Sequence, residues 1–332
     1  MASKKKNFAS ANFILPDSIL SILLQDKTTH QNIIWATDDY AEINLSFSFF
    51  NEIKLESISG KNTNLIVPRV QKKDELKSQR SKDKGEVFTP SWICNIQNNL
   101  IDNSWFGKAT KRFNTELDYS WRTNYYPISF SNIAGKAWTD YINTSRLEVS
   151  CGEAPYLTSR YDTVTGKPIP VKNRIGLLDR KLRIISENTN DSQDWIRWAI
   201  KALKSTYGFE WQGDNLFLAR KNVLLAVLEA YDYKFNCIPN LDIIDSFANI
   251  IAWNIWQMDG IKYVKPNSCH NSEYKTIDLF GRVITSAEQC PGCLSNDMYR
   301  HNGIYATIMD WEENKEIRFV DLIKKGTSYG KL

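Results

Sequence analysis

The stretch LEVSCGEAPYL, residues 147–157, decides the fold that we predict for this chain. Residues 146–150 have the pattern of a short strand, residues 151–155 form a tight turn, and Tyr156 begins the next helix. A strand, a glycine turn and a helix in this order suit a ligand site, because Gly152 lets the backbone approach a ligand closely.

Two more strands with helices are predicted further along the chain. Residues 174–179 predict a strand that ends at Asp179, and residues 207–211 predict a strand that is followed by Gly213, Asp214 and Asn215. The predicted helices cover residues 180–187, 193–205, 216–231 and 241–258. Alternating strands and helices predict an α/β fold with a parallel sheet, whose ligands lie at the carboxyl ends of the strands.

The three predicted strand ends carry groups that suit a nucleoside with a charged tail. Backbone N–H groups after Ser150 favour a carboxylate, Asp179 can accept hydrogen bonds from a ribose diol, and Asp214 can read an adenine amine. The chain has neither a GxxxxGK[ST] loop for a triphosphate nor a GxGxxG segment for a dinucleotide. Each strand end could also be an ordinary strand–turn–helix connection that binds no ligand.

The segments GEVFTP (85–90), LEVSCGEAPYL (147–157), IGLLD (175–179) and GDNL (213–216) together resemble a known family. They are similar to the S-adenosylmethionine-dependent DNA methyltransferases that modify adenine N6 or cytosine N4, in the branch of the Eco57I-like restriction-modification enzymes. The resemblance implies a Rossmann-like class I methyltransferase sheet over residues 81–260. A mixed N-terminal region would cover residues 1–80, and a small Cys/His element would cover residues 261–332.

The resemblance also implies roles for individual residues. Phe88, Thr89 and Pro90 would border the methionine moiety, and Ser150, Cys151, Gly152 and Glu153 would form the glycine turn. Asp179 would hold the ribose, and Asp214 with Asn215 would hold the adenine amine. The turn has one glycine where the family has two or three, and Ala154-Pro155 follows it.

The family's catalytic tetrapeptide, [N/D]-P-P-[Y/F], is missing from this sequence. The nearest candidates are Asn254 and Trp256, which lie in an apolar run that also suits a buried helix. Residues 316–325 resemble a segment that precedes the catalytic strand in longer relatives. We therefore expect DNA as substrate and a second polypeptide that supplies the catalytic motif. A catalytically inactive DNA-binding or regulatory protein is the alternative, and a nuclease subunit ranks last.

Six cysteines are unevenly placed, and three of them gather late in the chain. Cys290 and Cys293 form a C-x-x-C knuckle, and Cys269 with His301 could complete a tetrahedral structural zinc site, with His270 as an alternate ligand. A surface turn with reduced cysteines is the competing interpretation, and a redox pair is a weaker one.

Composition limits the class of protein. The 332 residues are 42 % hydrophobic and 24 % charged, with a net charge of +4, which is typical of a globular chain. No apolar run of about 18 residues predicts a membrane span, and no signal peptide is recognised, so we expect a cytosolic protein without a membrane partner. The basic stretch 71–86 predicts either a solvated linker or phosphate contacts.

Overall fold

The computed structural model describes residues 14–87, 89–107, 112–131, 135–277, 279–280 and 282–323. The helices are α1 (Asp17–Leu24), α2 (Asp74–Lys84), α3 (Ser91–Phe106), α4 (Trp138–Asn143), α5 (Leu177–Asn188), α6 (Ser192–Lys204), α7 (Gly213–Phe235), α8 (Leu241–Asn254) and α9 (Pro291–Ser295). The strands are β1 (Asn114–Leu117), β2 (Ser120–Thr123), β3 (Arg146–Glu148), β4 (Thr206–Glu210), β5 (Ile255–Gln257), β6 (Ser272–Ile277), β7 (Val283–Glu288), β8 (Thr307–Asp310) and β9 (Lys315–Arg318).

A small parallel sheet organises this mixed α/β structure, as the sequence predicted. Its order is β3-β4-β5, with Arg146 opposite Thr206 and Gly208 opposite Ile255. Two helices, α5 and α6, connect β3 to β4, and α7 and α8 connect β4 to β5. The other sheets of the described residues are antiparallel pairs: β1-β2, β6-β7 and β8-β9.

The strand predicted over residues 174–179 is wrong, because helix α5 already begins at Leu177. Asp179 stands in the first turn of α5, where its Oδ2 accepts the N–H groups of Gly176 (3.1 Å) and Ser159 (2.7 Å). An acid at this position satisfies backbone donors that a helix start leaves free. Asp179 therefore caps a helix and does not end a strand.

Three further predictions of local structure are corrected. No helix begins at Tyr156, since Gly166, Pro168 and Pro170 interrupt the segment that leads to α5. The helix predicted over 241–258 ends at Asn254, and the next three residues form β5 beside β4. The linker predicted over 71–86 contains α2, whose Arg80 is completely buried.

One apolar cluster joins residues from Leu15 to Ile255. It includes the side chains of Trp35 from the N-terminal segment, Trp195 of α6 and Phe247 of α8, all completely buried. The side chain of Gln257 ties β5 to the N-terminal segment through two hydrogen bonds with the backbone of Ile34 (2.9 and 2.8 Å). The core therefore takes residues from both sides of position 80, while the predicted domain division itself stays a prediction.

A second, smaller cluster lies on the other side of the sheet. Phe209 and Trp256 pack there against Ile308 of β8, with Phe319 at the edge. Among the described residues, no helix combines the length and the apolar character that a membrane crossing requires.

Candidate functional site

The loop after β3 has an unusual backbone. Ser150, Gly152 and Ala154 all have positive φ, at 49°, 53° and 62°. Only glycine adopts this region without a steric cost, so Ser150 and Ala154 are strained. Such strain persists where the surrounding structure fixes it, and it is concentrated at ligand sites and active sites.

The loop is fixed from the end of the neighbouring strand. The N–H of Cys151 donates to the carbonyl of Phe209 (2.8 Å), and the N–H of Gly152 donates to Oε2 of Glu210 (2.8 Å). The other carboxyl oxygen of Glu210 accepts the N–H of Gln212 (3.1 Å). Burial raises the pKa of Glu210 despite these two bonds. The carboxyl ends of β3 and β4 therefore meet through the carboxyl group of Glu210.

A cleft of about 200 Å³ opens at these strand ends. Its lining comes from three places in the sequence: residues 84–89, the β3 end with its loop, and the β4 end. The lining residues are Lys84, Gly85, Glu86, Val87, Thr89, Glu148, Val149, Ser150, Cys151, Gly152, Pro155, Tyr156, Glu210, Gln212 and Asn215. Three carboxyl groups and one ammonium group stand in this lining, and carboxyl oxygens can accept hydrogen bonds from the hydroxyl and amine groups of a ligand.

Glu148 is the innermost acid of the cleft. Its carboxyl group accepts the N–H groups of Tyr156 (3.3 Å) and Leu157 (3.1 Å). Burial raises the pKa of Glu148 to about 8, and the charge of Glu210 nearby acts in the same direction. Glu148 therefore holds a proton at neutral pH.

The structure brings five of the predicted cofactor residues into this cleft: Thr89, Ser150, Cys151, Gly152 and Asn215. Pro90 lies directly before α3 and is not part of the lining. Phe88 lies outside the described residues. Burial raises the pKa of the Cys151 thiol well above its ordinary value, so this cysteine stays protonated.

Glu153 turns away from the cleft. Its side chain is buried, where it accepts the N–H of Arg69 (2.6 Å) and the hydroxyl of Tyr161. It therefore ties the loop to the N-terminal segment and offers no group to a ligand in the cleft.

Asp214 lies close in sequence to the cleft, but its carboxylate is used inside the protein. It accepts hydrogen bonds from Lys72 Nζ (2.8 Å), the Tyr40 hydroxyl (2.8 Å) and Arg80 (3.2 Å), and it is completely buried. Burial alone would raise its pKa, but Lys72 and Arg80 hold the pKa of Asp214 far below its usual range. The prediction that Asp214 faces a nucleoside amine is therefore not supported by its contacts.

Asp179 borders a different cavity. This cavity of about 330 Å³ lies between α5 and the end of α7, with Tyr125, Arg174 and Lys234 in its lining. The predicted pocket formed jointly by Gly152, Asp179 and Asp214 is thus wrong. The acid that does meet Gly152 is Glu210, and the signal that could have identified it was its position near the carboxyl end of the strand predicted over residues 207–211.

The two weak catalytic candidates have structural roles. Asn254 Nδ2 donates to the carbonyls of Leu203 (2.8 Å) and Thr206 (3.2 Å), and its Oδ1 accepts from Trp311 (2.8 Å). Trp256 is buried in β5, with its ring 5.8 Å from that of Phe209. The side chain of Asn254 therefore uses both of its donors and its oxygen for contacts in the interior.

Two cations of the predicted basic stretch, Lys72 and Arg80, are buried, and Lys84 pairs with the same acid as Arg80. Lys72 pairs with Asp214 (2.8 Å), Arg80 with Asp39 (2.5 Å), and Lys84 with the same Asp39 (2.5 Å). These pairs anchor α2 over the cleft. Of the remaining cations, Lys77 pairs with its helix neighbour Asp74 (3.0 Å), and Lys73 and Lys82 are exposed. Residues 4–6, the other basic run, lie outside the described residues.

A second candidate site lies in the C-terminal part. Cys269, Cys290, Cys293 and His301 bring their ligand atoms within 4.8 Å of one another. His301 Nδ1 lies 3.5, 3.6 and 3.7 Å from the three sulfur atoms. Ligands of a tetrahedral zinc ion, bound at about 2.3 Å for sulfur and about 2.0 Å for nitrogen, would lie roughly 3.5 Å apart. The cluster can therefore hold a metal ion.

The knuckle has the local structure that this geometry requires. Cys290 precedes the short helix α9, and a Cβ at Gly292 would lie 2.5 Å from the backbone nitrogen of His301. The N–H of Asn302 donates to the Cys290 sulfur (3.3 Å). His270, the alternate ligand, is exposed and is not part of the cluster.

Comparison of the chain with protein-family models, with curated proteins and with solved structures yields no match.

Proposed function

We propose that this chain is the S-adenosylmethionine-binding part of a DNA methyltransferase of a restriction-modification system, built on a Rossmann-like class I sheet. The observation that carries the proposal is the meeting of the Gly152 N–H with the Glu210 carboxyl group at the ends of two neighbouring parallel strands. Ligands of open parallel sheets bind at this end of the strands. The resemblance of four sequence segments to DNA methyltransferases supports the nature of the cofactor and of the substrate.

The proposed contacts differ from those expected from the sequence. Glu210 takes the role that was expected of Asp179, because a carboxylate at the end of the second parallel strand can accept both hydroxyls of a ribose. The side-chain amides of Gln212 and Asn215 line the same cleft and can read the adenine edge. The strained loop at Ser150 and Gly152 holds the methionine tail.

The cleft must widen to take the whole cofactor. Its volume of about 200 Å³ is below the roughly 300–1,000 Å³ of pockets that hold small molecules. Residues 85–87 form one wall, in which Val87 is 77 % exposed and the carboxyl group of Glu86 is held by Arg80 (2.7 Å) and Asn215 (3.0 Å). We expect this wall to move outward when the cofactor binds.

Bound S-adenosylmethionine supplies a methyl group on a sulfonium, which an exocyclic base amine displaces directly without a covalent enzyme intermediate. The described residues contribute binding and orientation of the cofactor. Orientation of the target amine requires an amide and stacking groups from elsewhere, because Asn254 and Trp256 are fully used in the interior. We therefore propose that a second polypeptide supplies the catalytic motif.

Zinc is the metal that we propose for the Cys269, Cys290, Cys293 and His301 cluster. Three thiolates and one imidazole are soft ligands that suit zinc, and four protein ligands leave no open position for catalysis. The proposed role is structural, since this ion would fix the segment that joins β5 to β8.

Titration calorimetry of the full chain with S-adenosylmethionine tests the function. We expect binding by the wild type and at least a tenfold loss of affinity for Glu210→Gln. The matched control is Asp179→Asn, which changes a buried carboxyl group in the other cavity and leaves the affinity unchanged. Wild-type protein that binds no cofactor, or a loss confined to Asp179→Asn, contradicts the proposal.

A catalytically inactive regulator is the second candidate, favoured by the internal use of Asn254. Transfer of labelled methyl groups to DNA separates the two functions. We expect none with the chain alone and transfer once the polypeptide with the catalytic motif is added. Transfer by the chain alone would refute the need for a partner, and cofactor binding that never leads to transfer identifies the regulator.

A further inference from the structure

The parallel sheet stops at the strand that forms the proposed cofactor site. β3 is an end strand of the order β3-β4-β5, and no strand within the described residues pairs with its outer edge. An edge strand presents N–H and C=O groups that another strand can pair with. Proteins protect such edges with short strands, charges or a covering element, so the surroundings of β3 decide whether its edge is protected.

The surroundings of β3 leave it open. Ser145 and Leu147 are exposed, Leu147 at 45 %, and Val149 directly after the strand is 64 % exposed. Alternate residues of a strand share one face, and Glu148 on the opposite face is buried. Parallel sheets are normally covered on both faces. Within the part of the chain that the structure describes, both the edge and one face of β3 therefore lack a covering element.

An apolar groove continues from this open face. It has a volume of about 1070 Å³ and runs from Leu147 past Tyr207 and Trp256 towards Ile308 and Phe319. The groove is large enough for several apolar side chains of another segment. Its position shows that a chain entering beside β3 would cover the exposed face as well as the edge.

The order of the strands indicates what belongs there. Counted along the chain, β3 is the first parallel strand, β4 the second and β5 the third, so the order across the sheet is third, second, first. In open α/β sheets, ligands bind where this order reverses, between the first strand and a later strand on its other side. The cleft lies at the carboxyl end of β3, where such a reversal would occur if one more strand followed.

We propose that a β-strand of a partner polypeptide pairs in parallel with the outer edge of β3 and completes the ligand crevice, while apolar side chains next to that strand fill the groove. The proposal rests on the proposed function, because it takes the cleft at the end of β3 to be the cofactor site. A second copy of this chain is a poorer occupant, because two-fold symmetry would pair the two β3 edges in antiparallel fashion and place the two clefts at opposite ends.

Photo-crosslinking in the cells that naturally produce this protein tests the pairing. The full chain carries p-benzoyl-phenylalanine in place of Ser145 in one variant and in place of Leu147 in another. We expect both variants to crosslink to one polypeptide, with the attachment point for position 147 about two residues further along the partner than that for position 145. The matched control places the same amino acid at Leu241, which is 52 % exposed at the start of α8, and gives no crosslink to that polypeptide.

Three results overturn the proposal: crosslinks to a second copy of the chain, attachment points in the reverse order, or no crosslink from either position. The readout does not involve the cofactor. If the crosslinks fail but calorimetry shows that the chain binds S-adenosylmethionine, only the partner strand is refuted. If the crosslinks appear in the expected order but the chain binds no cofactor, only the proposed function is refuted.

Discussion

Asp214 shows what a single buried carboxylate contributes to this protein. It faces Lys72 and Arg80 in an interior that water does not reach, and each of the three side chains is less than 3 % exposed. Removing one charge from such a group leaves the others uncompensated, which costs far more than an exposed pair is worth.

We expect Asp214→Asn to lower the free energy of unfolding by about 3–5 kcal/mol, because Lys72 would remain buried without its counter-ion and Arg80 would keep only Asp39 and Glu86. Urea denaturation measures the change. The matched control is Asp74→Asn, which removes an exposed partner of Lys77 and should cost less than about 1 kcal/mol. Equal small losses in both variants would show that the Asp214 network contributes little.

The raised pKa of Glu148 predicts an unusual dependence of the free energy of unfolding on pH. The folded protein retains the Glu148 proton up to a pH of about 8, whereas the unfolded chain loses it near its ordinary value of 4.5. Between these values the folded state binds more protons, so the contribution of Glu148 to stability falls as the pH rises.

We expect Glu148→Gln to be more stable than the wild type by roughly 4 kcal/mol at pH 8 and to differ little at pH 4.5. Urea denaturation across this range measures the difference. Glu229→Gln is the control with the opposite sign: burial would raise the pKa of Glu229, but Arg160 and Arg174 lower it, so this variant loses stability at pH 8. A Glu148 difference that does not change with pH contradicts the expectation.

Among the elements, the Cys/His cluster lies in a defined segment. Residues 268–305 lie between β5 and β8 and contain short strands and a five-residue helix, and few of the side chains described there are buried. A structural zinc ion, as proposed, would supply the stability that apolar packing gives elsewhere.

We expect one zinc ion per chain in protein prepared without added metal, and its loss in Cys293→Ser. Chelation should remove the hydrogen-exchange protection of residues 268–305 while α7 stays protected, because α7 lies in the main core. Cys237→Ser changes an exposed cysteine outside the cluster and retains the metal. If metal-free protein kept the same hydrogen-exchange protection of residues 268–305, the proposed structural role of zinc would be wrong.

The elements also show how far the sequence alone predicts this structure. The parallel sheet, the helices α6 and α7 and the Cys/His cluster follow from periodicity and spacing. The prediction for residues 174–179 was wrong because an apolar pair before an acid is compatible with the end of a strand and with the start of a capped helix. Only the contact of Asp179 with Ser159, which is distant in sequence, distinguishes the two structures. The inward direction of Lys72 and Arg80 depends on carboxylates far away in sequence, which no local pattern reveals.

At the scale of the whole molecule, the account depends on where a ligand binds. The chain offers a cleft at Gly152 and Glu210 and a larger cavity beside Asp179 and Arg174. The strand ends and the strained loop favour the first, although the second has the greater volume. We propose in addition that a partner strand at the open edge of β3 completes the crevice.

A crystal structure of the full chain grown with S-adenosylmethionine is the most direct measurement. The account predicts cofactor density in the cleft, with the ribose hydroxyls on Glu210 and the residues 85–87 displaced outward. Density in the cavity beside Asp179, or a cleft that stays empty at saturating cofactor, would contradict it.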